Sequence, residues 1–312
     1  MNILVTGSLG FIGSHVCYQL QGKHNVVGID HPAYWNDKKL AEYRAKQLPK
    51  VKHKEIDVAT MRSQVWHYAQ KADVIIHLAA MAGVQGSMKE PVAYTEVNIE
   101  GLLNILECAR HAHKPPRVIY ASSSSVYGSE PPPHREDMPC NNQLSYYAAT
   151  KRADEAMAAA YINQFALPIT GLRFFTVYGP WGRKEMCIYK WALNIASGQE
   201  IVMFNNGNHA RDFTYVDDVV EVIIRNIEQN HDVSILNAAA GNSIALTQVV
   251  EELENNLNKK AKIKYAPMQK GDVIATQADV SLLREKCLYV PSTTFKKGIE
   301  RFIKWFKQYH NI

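Results

Sequence analysis

Tyr147-Ala148-Ala149-Thr150-Lys151 sets a phenol and an ammonium four residues apart. On a helix, positions i and i+4 share a face. A lysine one turn from a phenol lowers its pKa from about 10 toward neutrality, by charge proximity and hydrogen bonding. The phenolate can then serve as a general base near neutral pH. Tyr146 is five residues from Lys151 and off that face, which makes Tyr147 the candidate. A solvated helix face can carry the same spacing, so the pair gains meaning only from its company.

That company lies upstream. Ser122, Ser123, Ser124 and Ser125 follow an apolar strand pattern at 118–121 and precede Val126-Tyr127-Gly128. Doubly wound folds bind ligands at the C-terminal ends of parallel strands. Four serines also suit a plain polar loop. Beside the Tyr/Lys helix they read as hydroxyl donors for a sugar.

At the N-terminus, Gly7, Gly10 and Gly13 follow one strand pattern and open a helix pattern. Gly7 permits a tight turn, Gly10 a close approach of backbone to a pyrophosphate, and Gly13 close helix–strand packing. The helix start offers unpaired N–H groups and a positive dipole end to phosphates. Phe11 and Ile12 lie within this loop. Asp30, seventeen residues past Gly13, ends the second strand pattern. A carboxylate there accepts from ribose hydroxyls and repels a 2′-phosphate, which selects NAD over NADP. Asp57 and Val58 end the third strand, where an adenine edge would lie. Leu78, Ala79 and Ala80 end the fourth and leave room for the cofactor. His77, just before them, reads better as a packed core histidine.

Strand patterns at 3–6, 26–29, 51–56, 74–77, 118–121 and 169–174 alternate with helix patterns, notably 11–20, 93–111 and 146–165. Such alternation implies βαβ crossovers and a parallel sheet with helices on both faces. The fold class expected is α/β, a Rossmann doubly wound sheet with a smaller C-terminal α/β lobe. The dinucleotide domain is expected at 1–175 plus about 213–240, because 217–237 can return to the first sheet. The substrate lobe then takes 176–212 and 241–312. Past residue 175, strands are expected at 201–204 and 262–265, and helices at 217–227, 246–257 and 293–309.

Composition narrows the class. The 312 residues are 46% hydrophobic and 21% charged, ordinary for a globular chain. No apolar stretch approaches the roughly 18–20 residues of a membrane helix, and the first residues lack the basic region of a signal peptide. The net charge of +5 is mild, with no basic block of the kind that binds nucleic acid. Five dispersed cysteines without a CxxC argue against disulfides and zinc and fit a reducing cytoplasm. No metal site is expected.

Gly7/Gly10/Gly13, Asp30, the serine run before Val126-Tyr127-Gly128 and Tyr147/Lys151 together resemble the extended short-chain dehydrogenase/reductase family, the NAD-dependent nucleotide-sugar epimerases and dehydratases. The resemblance covers nearly the whole chain. It implies NAD as cofactor, with Asn98 also at its site, and puts the catalytic hydroxyl on Ser123 beside Tyr147 and Lys151. The family's 4,6-dehydratases carry Asp-Glu at the next two positions, and its UDP-xylose synthases a glutamate at the second. Here they are Ser124 and Ser125, neither able to protonate a leaving group, which favours epimerisation.

Within the family, Ala79–Val84, Arg173–Arg183, Arg211–Asp218 and Met268–Val273 resemble UDP-glucuronate 4-epimerases. The resemblance implies that Ser124, Ser125 and Thr176 face the sugar carboxylate while Arg183 and Arg211 hold the uridine diphosphate, with Gln85 and Asp272 also at the substrate. An arginine fork suits diphosphate because it binds two oxygens at once.

Departures are specific. Gln85-Gly86 replaces Arg-Tyr, which removes a cation near the sugar. Lys184-Glu185 replaces Pro-Asp, and His31 replaces an asparagine. Thr276 stands where UDP-galactose 4-epimerases often carry a larger gating residue. A UDP-glucose or UDP-N-acetylglucosamine 4-epimerase therefore remains the alternative. Beyond it lie a UDP-sugar decarboxylase or reductase and a non-catalytic NAD-sensing protein. A homodimer is implied, through a small apolar face at Ala153, Ala156, Met157 and Ala160, and supply of surface-polysaccharide precursors fits the resemblance.

Overall fold

A computed structural model describes residues 1–229 and 233–312. Residues 230–232, within the 213–240 segment, lie outside the described residues. The first six strands are β1 (Asn2–Thr6), β2 (Asn25–Asp30), β3 (Lys52–Glu55), β4 (Val74–His77), β5 (Arg117–Ser123) and β6 (Ile169–Phe174). Between them run α1 (Phe11–Leu20), α2 (Lys38–Lys46), α3 (Arg62–Ala69), α4 (Val84–Lys89), α5 (Pro91–Tyr94), α6 (Gly101–Arg110) and α7 (Tyr146–Phe165). Then come β7 (Thr176–Tyr178), α8 (Cys187–Ala196), β8 (Glu200–Phe204), β9 (Ala210–Tyr215), α9 (Val216–Glu228) and β10 (Ile235–Ala238). The chain ends with β11 (Ser243–Ala245), α10 (Leu246–Leu257), β12 (Lys262–Ala266), α11 (Ser281–Cys287) and α12 (Phe295–His310).

Seven strands form one parallel sheet in the order β10-β6-β5-β4-β1-β2-β3. The order reverses between β1 and β4, and a crevice opens there beyond the strand ends. Alternation along each strand feeds two cores. Ile3, Val5, Ile76 and Ile119 pack under α1, α9 and α11, whereas Leu4, Ile75, Val118 and Tyr120 pack under α3, α6 and α7. β10 reaches the far edge after α9, so the chain does return to the first sheet. β3 closes the other edge with Lys52, Lys54 and Glu55 exposed, a charged rim that discourages pairing with another chain.

Two small sheets, β11-β9-β7 and β12-β8, lie outside the large one. A second core beside them is rich in aromatics: Phe302, Trp305 and Phe306 of α12 pack in one cluster with Tyr189 of α8 and Phe213 of β9.

The expected helix at 93–111 differs in detail. It begins at Pro91 and widens into a π-turn at Thr95–Glu100 before resuming as α6. Single π-turns often mark functional positions. Here the turn carries Asn98, whose side chain ties Met81 to Thr150.

Candidate active site

The crevice at the strand reversal is a cleft of about 480 Å³. Its wall contains Gly7, Gly10, Phe11, Ile12, Gly13, Asp30, Asp57, Val58, Leu78, Ala79, Ala80, Ser123, Tyr147, Lys151 and Arg183.

The glycine loop is shaped by close contact. Gly7 has φ +68, and a Cβ there would lie 2.7 Å from Ala79 N. A Cβ on Gly13 would lie 2.0 Å from Gly7 O, so the first turn of α1 can reach the loop only as glycine. These missing side chains leave a backbone cradle at the start of α1. Its free N–H groups and dipole suit a pyrophosphate.

Asp30 binds this cradle to β2. Its Oδ2 accepts Leu9 N at 2.8 Å, and its Oδ1 accepts His31 N and Trp35 Nε1, both at 2.8 Å. An ionised carboxylate has about four acceptor sites, so Oδ2 keeps one for a further donor such as a ribose hydroxyl. Asp57 lies two residues past β3 and accepts from Ala59 N, Thr60 Oγ1 and Tyr34 Oη. Burial opposes its ionisation, but these bonds outweigh it and hold the carboxyl below its ordinary value. The cradle, the carboxylate at the end of β2 and the small residues Ala79 and Ala80 fit an adenine dinucleotide.

At the other end of the cleft, α7 begins with Ser145 capping Ala148 N at 3.1 Å. Of its two leading tyrosines, Tyr147 lines the cleft. Tyr146 is exposed, with its hydroxyl 2.6 Å from that of Thr95. Lys151 is buried in the floor and bonds Asp154 Oδ2 at 3.0 Å. Burial pulls the ammonium's pKa down, but the charge and hydrogen bond of Asp154, with Tyr147 and Glu155 nearby, together outweigh it and hold the pKa above its ordinary value. Ser123 ends β5 in the same wall. Its Oγ caps the next turn by accepting Ser125 N at 3.1 Å and donates to Ser125 Oγ at 3.1 Å. Ser122 turns elsewhere and donates to Glu155 at 2.6 Å.

His77 is a core residue, 2.8 Å from Thr6 Oγ1. Burial and then the charge of Lys151 push its pKa down to about 3, so the ring is neutral.

The remaining sequence candidates fall into other groups. Asn98 lies behind the cleft wall, both of its amide N–H groups donating to Met81 O and Thr150 Oγ1 and its oxygen accepting Met81 N. Arg183 stands on the rim, donating to Ala82 O at 3.1 Å and to Glu185 Oε1 at 2.6 Å. It shares a small side pocket with Thr176 and Cys187. Arg211 and Asp272 are paired with each other, and both act electrostatically on Cys187. Gln85 is exposed and donates to Lys270 O at 3.2 Å. Thr276 is buried and accepts Asp212 N at 3.1 Å.

Sequence reasoning passed over several neighbours. Trp35 and Tyr34 brace the two carboxylates at the strand ends. Arg44, almost buried in the cleft wall, donates to Leu9 O at 2.9 Å and to Trp181 O at 2.6 Å. Burial pushes Arg44 down to about 10. Asp154 was legible, three residues past Lys151.

The model of the NAD dependent epimerase/dehydratase family matches residues 3–239, and the chain belongs to that family, whose cofactor is NAD. A probable UDP-glucuronate 4-epimerase of Rhizobium meliloti is 36% identical over 99% of this chain and 97% of its own. A UDP-glucuronic acid 4-epimerase of Bacillus cereus, solved with UDP-glucuronic acid and NAD, superposes with TM-score 0.93 at 30% identity, covering 99% of this chain and all of that one. A UDP-N-acetylglucosamine 4-epimerase of Methanobrevibacter ruminantium, solved with UDP-N-acetylmuramic acid, gives 0.87 at 29% identity, covering 99% and 98%. Among the described residues, no helix is long and apolar enough to cross a membrane, and no cluster of ligating side chains could hold a metal ion.

Proposed function

We propose that this protein inverts C4 of a UDP-sugar, converting UDP-glucuronate to UDP-galacturonate. One observation carries the reading. A single cleft joins the dinucleotide cradle to Ser123, Tyr147 and Lys151, with Arg183 on its rim.

NAD, when bound, supplies the reversible oxidation at C4. The chain's own residues do the rest. Lys151 primes Tyr147, which takes the proton of the 4-hydroxyl and later returns it. Ser123 donates a hydrogen bond to the 4-oxygen and steadies the ketone. Arg183 and Arg211 hold the diphosphate while the keto sugar turns about its bond to it. Arg211 arrives oriented by Asp272. Ser124, Ser125 and Thr176 restrain the C5 carboxylate, which matters because a β-keto acid loses CO2 readily. Positions 124 and 125 offer no acid for elimination.

A neutral or N-acetylated UDP-hexose is the second reading. Gln85 supports it, since no cation stands at that position and its amide turns to Lys270. A decarboxylase, a reductase and an NAD-sensing protein find less support, the last because the Tyr147/Lys151 pair is intact.

We read 1–175 with about 213–240 as the NAD-binding domain, since β10 joins the large sheet, and 176–212 with 241–312 as the sugar-binding lobe. A cytoplasmic homodimer also belongs to this reading. It is supported by the free cysteines and by Ala156 and Ala160, which are exposed on α7 beside the half-buried Ala153 and Met157. Sedimentation tests the dimer.

Incubation with UDP-glucuronate, UDP-glucose and UDP-N-acetylglucosamine, followed by proton NMR, tests the function. The C4-inverted uronate should form fastest. CO2 release, net NADH or inversion of only the neutral sugars would overturn the proposed substrate.

A further inference from the structure

Asp154 lies three residues beyond Lys151 and seven beyond Tyr147, so all three share one stripe of α7. Its Oδ2 accepts from Lys151 Nζ at 3.0 Å, and the two side chains are 1% and 3% exposed. Its Oδ1 is buried without a hydrogen-bond partner among the described residues. A carboxylate held dry with half its acceptors unused costs stability, and an apolar residue would fill the place more cheaply. Anchoring of the helix does not account for it, because neighbouring Glu155 does that through Arg173 of β6 and Ser122 of β5. The feature particular to Asp154 is its partner, the buried Lys151 ammonium in the floor of the cleft.

We infer that Asp154 is a positioning residue for Lys151: it fixes the ammonium beneath the cleft and, by offsetting part of its charge, sets the pH at which Tyr147 becomes a base. The inference rests on Tyr147 being that base. The ammonium favours the phenolate. The carboxylate, two helical turns from the phenol, opposes it. The other charged or titratable groups around the pair are Arg152 and Glu155 on the same helix, Tyr120 on β5, Arg173 on β6 and neutral His77 on β4. Burial, acting against the pull of Lys151, pushes Asp154 itself up to about 6. The ammonium held 3.0 Å from its Oδ2 favours the charged form that the role requires.

The test is Asp154→Asn in the NAD-loaded enzyme, a change that keeps an acceptor for Lys151 and deletes the charge. Ionisation of Tyr147 is followed by tyrosinate absorbance, as the difference between each protein and the same protein carrying Tyr147→Phe. The titration should move to lower pH by about one unit, tenfold in the ionisation constant. The acid limb of the rate profile should move with it, and Asp154→Glu should restore both. Should Asp154→Asn not fold, Asp154→Ser removes the same charge and is titrated instead. A titration at its original pH, or displaced upward, overturns the inference even if thermal stability changes. A different result marks failure of the underlying reading: Tyr147→Phe turning over normally in an otherwise unaltered chain.

Discussion

Arg173 of β6 and Glu155 of α7 grip each other through two hydrogen bonds, Nε to Oε1 at 2.8 Å and Nη2 to Oε2 at 2.9 Å. Ser122 and Arg152 bond the same carboxylate, and the guanidinium lies 4.7 Å from the ring centroid of Tyr127. The pair fastens α7 to the sheet one residue beyond Asp154, and so sets where Lys151 and Tyr147 face the cleft. Removing one member leaves the other charge buried and unpaired. Glu155→Ala should therefore cost about 3–5 kcal/mol of folding stability. Denaturant unfolding checks this, and a loss below about 1 kcal/mol would count against the anchoring role.

Asp30 should decide the cofactor. Asp30→Ala removes the acceptor proposed for the ribose and loosens Leu9 and Trp35 together. Hydrogen bonds to a charged group contribute about 1.5–3 kcal/mol, so calorimetry should show NAD binding weakened about ten- to a hundredfold. Discrimination against NADP should shrink in the same variant. Unchanged NAD affinity would show that the carboxylate serves only the loop.

Arg183 should act on the nucleotide sugar and not on the dinucleotide. Arg183→Ala should raise the Kd for the UDP-sugar about tenfold or more, by loss of charge-assisted bonds to the diphosphate. Bound NAD should stay the same. Equal weakening of both ligands would point instead to collapse of the rim that Arg183 forms with Ala82 and Glu185.

His77 gives a pH dependence of known sign. Burial and Lys151 push it down to about 3, whereas an unfolded histidine titrates near 6.5. Below about pH 6.5 the unfolded chain binds a proton that the folded chain refuses, so this group's contribution to stability falls as pH falls. Each pH unit costs about 1.4 kcal/mol once the unfolded form is fully protonated. Between about pH 7 and 5.5, the protein should lose about 1 kcal/mol more than His77→Gln does. Equal losses would mean that the ring takes up a proton in place.

The parts of the fold that follow from period and punctuation are legible in the sequence. Strands 74–77 and 169–174 and helices 11–20, 146–165 and 246–257 have the expected bounds. α2 and α3 escaped notice because they are largely polar and bury few residues, Leu40, Ala41 and Arg44 in one and Val65 and Ala69 in the other. The π-turn leaves no mark in the helical period of 93–111, and the bond that its Asn98 accepts from Met81, seventeen residues away, is visible only in the fold. The glycine loop, Asp30, Tyr147 and Lys151 stand out by residue type and spacing taken together, and the fold brings them to the wall of one cleft. Pairings such as Arg211 with Asp272, sixty-one residues apart, needed the fold to bring them together.

The account depends most on the Tyr147 hydroxyl, and Tyr147→Phe tests it directly. With UDP-glucuronate as substrate and proton NMR of C4 as the readout, turnover should fall by about a thousandfold or more, in line with loss of a general base. NAD content and UDP-glucuronate affinity should stay near those of the unaltered protein. A variant that still inverts C4 at close to the original rate would contradict the account.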